Sequence, residues 1–358
     1  MASKIKEKIK CGSCIFTVAL SGIIVANVAL LGFRFVKNSV TDYLSNTIQV
    51  EHKTEQISEL LSNQNTQIKE PLIIERLEPK SATVTFVGDM MFDRHVRAWA
   101  NRNSYNDLFK HVSDRFHKSD LVVANLEGPI TNYNTIYTHG SIPYNYTFTF
   151  DPKIASVLRQ ANIGVVSLDN NHIFDYGREG ARQTMDYLGS EGISYFGHPD
   201  NREILYKTVN GITFAFLSYN QFILPDLPGL LENIKKASQK SDYTVVFPHW
   251  GNEYELVPTQ NQISLARQFI DHGADLVIGA HPHVIQSKEI YKGKYIYYSL
   301  GNFIFDQYFS EDVKCGAIVT FKLTRDRILE VKEEFSKLSA DRIVELSDCA
   351  TKVPLLQI

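Results

Sequence analysis

The chain has 358 residues, 44% of them hydrophobic, 22% charged and 11% aromatic, with four cysteines. That composition excludes a disordered or collagen-like chain and a scaffold held mainly by disulfides. The net charge of −3 conceals an asymmetry: residues 1–37 carry Lys4, Lys6, Lys8, Lys10, Arg34 and Lys37 against Glu7, a charge of +5, which leaves −8 for the rest. An acidic body has no general attraction for nucleic acid.

A cytoplasmic tail, residues 1–10, precedes the uncharged stretch from Cys11 to Phe33. That stretch exceeds the roughly 20 residues a helix needs to cross a bilayer core. Four lysines before it outweigh the two basic residues after it, so the positive-inside rule predicts a single-pass cell-membrane protein with a cytoplasmic N-terminus and an extracellular body. A cleaved signal peptide is the rival reading, but no clear small-residue cleavage site follows the apolar run. Cys11 and Cys14, without strand context or a second pair, read as membrane-edge thiols. Residues 34–80 are polar, with apolar residues at loose helical spacing and Pro71 and Pro79 as interruptions, and read as a stalk.

From residue 81 to about 340 short β-branched runs alternate with helical stretches, the pattern of a layered α/β domain. Strands are predicted over 82–87, 121–124, 163–168, 212–219, 243–248, 275–280 and 295–300. Helices are predicted over 154–160, capped by Asp151-Pro152, and over 178–188 and 262–271, ending near Gly189 and Gly273. The runs 316–323 and 327–335 read as a closing hairpin, and 341–358 as a C-terminal tail. Cys315 and Cys349 would both lie outside the membrane, where a pair can oxidise, although sequence alone does not establish their proximity.

The chemistry follows the strands. Gly88-Asp89, Asn125-Leu126-Glu127, Asp169-Asn170-Asn171-His172, His249-Trp250-Gly251 and His281-Pro282-His283 each come directly after an apolar run. The carboxyl edge of a layered sheet is where sites are built. A mixture of imidazole, carboxylate and amide oxygen suits a divalent ion such as Mn²⁺, Fe²⁺ or Zn²⁺. An extended His281-Pro282-His283 would turn both rings to one side. Asp175 is placed to bond His172 or to cap a helix, and Glu253 to support His249 or to face solvent. The other histidines sit in stalk, helix or loop contexts.

The ordered motifs FVGDMMFDR, NLEGPI, NNHIFDYG, HWGNEY, GAHPHV and YSLGNFIFDQ, spread over residues 82–310, closely resemble the CapA family of capsule or poly-γ-glutamate synthesis proteins. The resemblance implies a four-layer metallophosphatase-like domain, two mixed β-sheets flanked by helices. By position it makes Asp89, Glu127, Asn171, His249, His281 and His283 metal ligands, with one or two Mn, Fe, Zn or Mg ions. It makes His172 the acid, supported by Asp175 and by Arg94 of the first motif, while Asn302 and Asp306 match a further signature. Met91 stands where metallophosphatases usually place a histidine, and Glu127 where they usually place an aspartate. The implied role is a membrane-anchored component of poly-γ-glutamate capsule synthesis or export. It would act on the anionic polymer, with other capsule-synthesis membrane proteins as partners and no nucleic acid. It would be hydrolytic toward an amide, a non-catalytic assembly or export factor, or a phosphoesterase.

Overall fold

The computed structural model describes residues 80–136, 146–198, 200, 203–223, 225–339, 344–347, 349 and 355–356. The expected membrane span and stalk lie outside them. Among the described residues no helix is long and apolar enough to cross a membrane.

The first half of the body contains β1 (Ser81–Met90), α1 (Arg94–Arg102), α2 (Ser113–Phe116), β2 (Leu121–Leu126), α3 (Lys153–Gln160), β3 (Ile163–Ser167), α4 (Gly177–Ser190) and β4 (Ser194–Phe196). The next segment contains β5 (Leu205–Val209), β6 (Ile212–Asn220), α5 (Leu227–Ser238), β7 (Tyr243–His249), α6 (Gln260–Asp271), β8 (Leu276–Ile278), β9 (Lys288–Tyr291) and β10 (Lys294–Tyr297). The chain closes with β11 (Asn302–Ile304), α7 (Glu311–Lys314), β12 (Cys315–Thr324), β13 (Ile328–Leu338) and β14 (Val344–Leu346).

Two mixed sheets result. The eight-stranded sheet runs β14-β13-β12-β1-β2-β3-β4, with β11 added to β1, and the six-stranded sheet runs β5-β6-β7-β8-β10-β9. β1 to β4 are mutually parallel, and β12 and β13 form the expected antiparallel hairpin. In the second sheet β6, β7, β8 and β10 are parallel, while β5 and β9 run antiparallel at its edges.

The period-two side-chain alternation of a strand explains the layering. In β2, Val123 joins the core between the sheets while Val122 and Ala124 face the core shared with α1, α3 and α4. In β6, Phe214 and Phe216 point into the inter-sheet core, whereas Ala215 and Leu217 pack with Leu230 of α5 and Phe269 of α6. Strands apolar on both faces are what a sheet covered on both sides requires, and the order of layers is helix, sheet, sheet, helix.

The helices begin where local hydrogen bonding favours them. Asp226 caps α5 by accepting the Gly229 N–H, and Thr259 with Gln262 forms a reciprocal capping box on α6. At α3 the cap differs from expectation: Pro152 is the N-cap residue, and Asp151 Oδ1 accepts the Lys153 N–H at 2.9 Å. Cys315 and Cys349 are disulfide-bonded, with Cα atoms 6.1 Å apart. The bond ties the start of β12 to the segment after β14. Further on, the Leu356 N–H donates to the Lys288 carbonyl of β9 at 2.7 Å.

Candidate metal centre

The site lies at the carboxyl ends of β1, β2 and β7 and in the loops after β3 and β8. A register shift between Phe86 and Asp89 bends the end of β1 against β2. Gly88 lets the Leu300–Gly301 backbone approach β1 closely, because a Cβ there would lie 1.8 Å from the Gly301 carbonyl oxygen. The Asp89 N–H then donates to that carbonyl at 3.0 Å. Its side chain faces inward: Oδ1 accepts from Asn125 Nδ2 at 2.8 Å and Oδ2 from the His281 N–H at 3.2 Å. Glu127 follows β2, its N–H bonded to the Met90 carbonyl at 2.9 Å. Glu127 Oε2 lies 3.3 Å from the same Asn125 amide nitrogen.

His249 ends β7, opposite Asn220 of β6 and bridged to Ala280. Its Nε2 lies 2.7 Å from Asn171 Oδ1 and 3.2 Å from His281 Nδ1. His281 and His283 do turn their rings to one centre, but not through the extended segment expected. Both residues have left-handed backbones, φ 97° and 59°, a conformation costly for a non-glycine residue and concentrated at functional sites. A hydrogen bond ties down the strained turn: the Pro282 carbonyl accepts the Tyr254 N–H at 2.7 Å.

Two overlapping groups have ligand atoms close enough to share an ion: Glu127, His249 and His281, and Asp89, Glu127 and His283. Glu127 belongs to both. Burial pushes the Glu127 carboxyl well up, and the neighbouring Asp89 charge adds to the shift. Burial also acts to raise Asp89, but the His283 contact, the Asn125 amide and the His281 N–H outweigh it and hold Asp89 low. Burial lowers His249 far below its ordinary value and His281 to about 3, with adjacent histidines adding to both shifts. The two rings are therefore neutral near pH 7 and offer lone pairs.

A divalent cation fits this set. Glu127 Oε1 is buried and has no hydrogen-bond partner among the described residues, an expensive state for a carboxylate oxygen unless a cation meets it. The donors are imidazole nitrogens and carboxylate oxygens, which suit borderline divalent metals. Asn171 reaches the group through His249.

His172 stands at its edge, Nδ1 2.9 Å from Asp175 Oδ2, its ring centroid 4.2 Å from that of Phe148. Asp175 also accepts the Phe148 N–H at 2.6 Å, so it anchors the histidine and does not cap α4. Arg94 is engaged elsewhere: its guanidinium grips buried Asp306 through both Nε and Nη2 and lies over the Phe148 ring, 4.9 Å from the centroid. Asp306 is held below its usual range, because His95 and Arg94 outweigh its burial. Met91 supplies no ligand. It is buried in the helix-side core, and its sulfur accepts the Asp93 N–H at 3.0 Å. Glu253 is exposed.

Sequence reasoning did not assign the central role to Asn125, whose amide joins Asp89 and Glu127. The signal was its place as a buried polar residue inside an apolar strand. Asn170 supports it from behind, Nδ2 donating to Asn125 Oδ1 at 3.1 Å and to the Leu126 carbonyl at 2.8 Å. Phe222 packs on the centre with its ring 4.2 Å from that of His281, and no motif marked it.

This α/β sandwich with a buried carboxylate and histidine cluster has known relatives. The family model of the bacterial capsule synthesis protein PGA_cap matches residues 83–307, and the chain belongs to that family. It is 33% identical to the capsule biosynthesis protein CapA of Bacillus anthracis over 70% of this chain and 66% of that one. It is 32% identical to the PGA biosynthesis protein CapA of Bacillus subtilis (strain 168) over 68% of each chain. The matches thus span about two thirds of the length of these relatives. In three dimensions the chain resembles a hypothetical protein from Thermus thermophilus with a TM-score of 0.50 and 18% identity, over 71% of this chain and 99% of that one. This last match speaks to the fold alone.

Proposed function

We propose that the protein is a membrane-anchored, outward-facing component of poly-γ-glutamate capsule synthesis, whose centre holds a divalent cation and acts on the polymer. The observation that carries the site reading is Glu127: a buried carboxylate shared by two ligand groups, with one oxygen unpaired among the described residues. Family membership and the two CapA relatives support the polymer. The lysine bias before the apolar run and the Cys315–Cys349 bond, of a kind favoured in oxidising compartments, support the outward orientation.

Asp89, Glu127, His249, His281 and His283 would hold the ion, with Asn171 beside them. A cation held there supplies Lewis acidity toward the oxygen of an amide or phosphoryl centre. His172 does the proton work. Its Nδ1–H donates to Asp175, which fixes the ring, so that the ring acts as an acid from its imidazolium form: Nε2 gives its proton to a departing atom and the neutral Nδ1–H ring remains. Phe148 packs against the ring, tilted 33° from it. Because Met91 replaces a usual imidazole and Arg94 is committed to Asp306, the set departs from a phosphoesterase pattern, and amide cleavage in the polymer is the preferred reaction.

The test uses the full chain in a capsule-producing cell and the purified protein with poly-γ-glutamate. His172→Ala should keep its divalent metal content, measured by elemental analysis, and lose polymer cleavage and capsule function. Retained capsule function in a folded His172→Ala protein would instead establish the non-catalytic assembly or export reading.

A further inference from the structure

We propose that Asn302 is a positioning residue that locks the His283 ring with its Nε2 lone pair facing the Glu127 carboxylate. The proposal rests on the reading that this centre holds a divalent cation. Asn302 opens β11, is fully buried, and has the orientation of its carboxamide dictated by its surroundings. A backbone carbonyl can only accept a hydrogen bond, and the Val313 carbonyl lies 2.9 Å from Asn302 Nδ2. The same nitrogen also donates to Gln307 Oε1 at 2.9 Å. The amide oxygen is therefore the atom that faces His283 Nδ1, at 3.0 Å.

An amide oxygen has no hydrogen to give, so His283 Nδ1 must carry one. Asp89 Oδ2, 3.3 Å from the same ring nitrogen, demands the same tautomer. The proton is thereby confined to Nδ1, and Nε2 presents a lone pair 3.6 Å from the unpaired Glu127 Oε1. Two lone-pair atoms facing each other at that distance make a slot for a cation. Asn302 extends this control outward, because Gln307, which it holds, donates through Nε2 to the Tyr254 hydroxyl at 3.0 Å. Partners of this kind, which orient a ligand without touching the metal, typically alter affinity by roughly 10–100-fold when removed.

The experiment titrates Mn²⁺ alone into metal-free wild type, Asn302→Ala and Asn302→Asp, and records histidine ¹⁵N shifts of the metal-free proteins. Asn302→Ala, shown folded by circular dichroism, should bind Mn²⁺ roughly 10–100-fold more weakly. Asn302→Asp, which keeps an acceptor for Nδ1–H but turns its other oxygen against the Val313 carbonyl, should bind more tightly than Asn302→Ala without reaching the wild-type value. Wild-type His283 should show hydrogen on Nδ1, and Asn302→Ala, where only the longer Asp89 contact remains to hold that proton, a smaller Nδ1–H fraction.

Wild-type affinity in folded Asn302→Ala overturns the proposal, as does an Nε2-protonated His283 in the wild type. Should the alanine variant fail to fold, the Asp variant and the wild-type tautomer decide. A wild type that binds no Mn²⁺ but shows the expected tautomer overturns the cation reading and leaves Asn302 as the lock on the ring.

Discussion

The same strands build two regions of opposite character. Between the sheets, Phe86, Val123, Phe214 and Ile278 are fully buried among apolar neighbours; a few residues along, the last two residues of β1, β2 and β7 include Asp89, Asn125 and His249, just as deeply buried. Burial alone therefore does not distinguish the two regions. The first gains stability from every methylene removed from water, whereas the second places the Glu127 carboxyl and the His249 imidazole where their charged forms are disfavoured. A fold that keeps such a cluster at its strand ends sacrifices stability for a prepared site.

The largest way to sharpen the contrast is to damage only the apolar region. Phe214 is fully buried at the start of β6, stacked on Tyr243 with centroids 5.7 Å apart. Phe214→Ala should lower unfolding free energy by about 3–5 kcal/mol in urea titration while the folded fraction binds divalent metal as the wild type does. The Cys315–Cys349 bond is next. It closes a sequence separation of 34 residues, and loop-closure entropy gives about 3–4 kcal/mol. Cys349→Ser should approach that loss, read in the same titration. Labelling of both native cysteines without reductant would refute the bond.

The legibility of the sequence divides along the same line. Strand interiors announced themselves, because two-sided burial demands long β-branched runs such as Tyr243–His249. Short or edge strands such as β4, β9, β11 and β14 carry too few residues for a period to emerge, and tertiary pairing makes them. At the site, Asp89, Glu127, His249, His281 and His283 were visible because each follows a readable strand. The order of motifs then linked positions far apart in the chain. What stayed hidden depends on three-dimensional direction: the left-handed turns at His281 and His283, the pairing of Arg94 with Asp306, and the amide of Asn125 between two carboxylates. None of these leaves a periodic trace.

A smaller effect should run in opposite directions with and without metal. Glu127→Gln removes a buried carboxylate whose pKa is raised by burial and by Asp89. In chelator the variant should melt about 2–4 °C above wild type, the shift expected for about 1 kcal/mol in a body of this size. The stabilisation that excess Mn²⁺ gives the wild type should shrink in the variant, because ligand-linked stability follows affinity. A variant that melts lower in chelator, with its metal response intact, would show that Glu127 serves packing and not the ion.

The smallest effect, and the one that tests the electrostatics most directly, is the pH dependence of the metal-free protein. His281 titrates near 3 when folded against an ordinary 6.5, and His249 is lowered in the same direction, burial being the first cause for both. Between those limits the unfolded chain binds protons that the native rings refuse, so stability is full above about pH 6.5 and declines as the pH falls toward about 3. Glu127 has the opposite sign. Its raised value means the native state keeps a proton that the unfolded chain releases above 4.5, so it makes stability fall with rising pH. Two histidines against one carboxyl predict a net loss on acidification below about pH 6.5 in denaturant titrations with chelator present. Glu127→Gln should steepen the fall, having lost the opposing group, and His281→Asn should flatten it. An unchanged slope in both variants would mean that these side chains are solvated in the metal-free state, and that the burial which sets the site apart from the apolar region exists only with the ion bound.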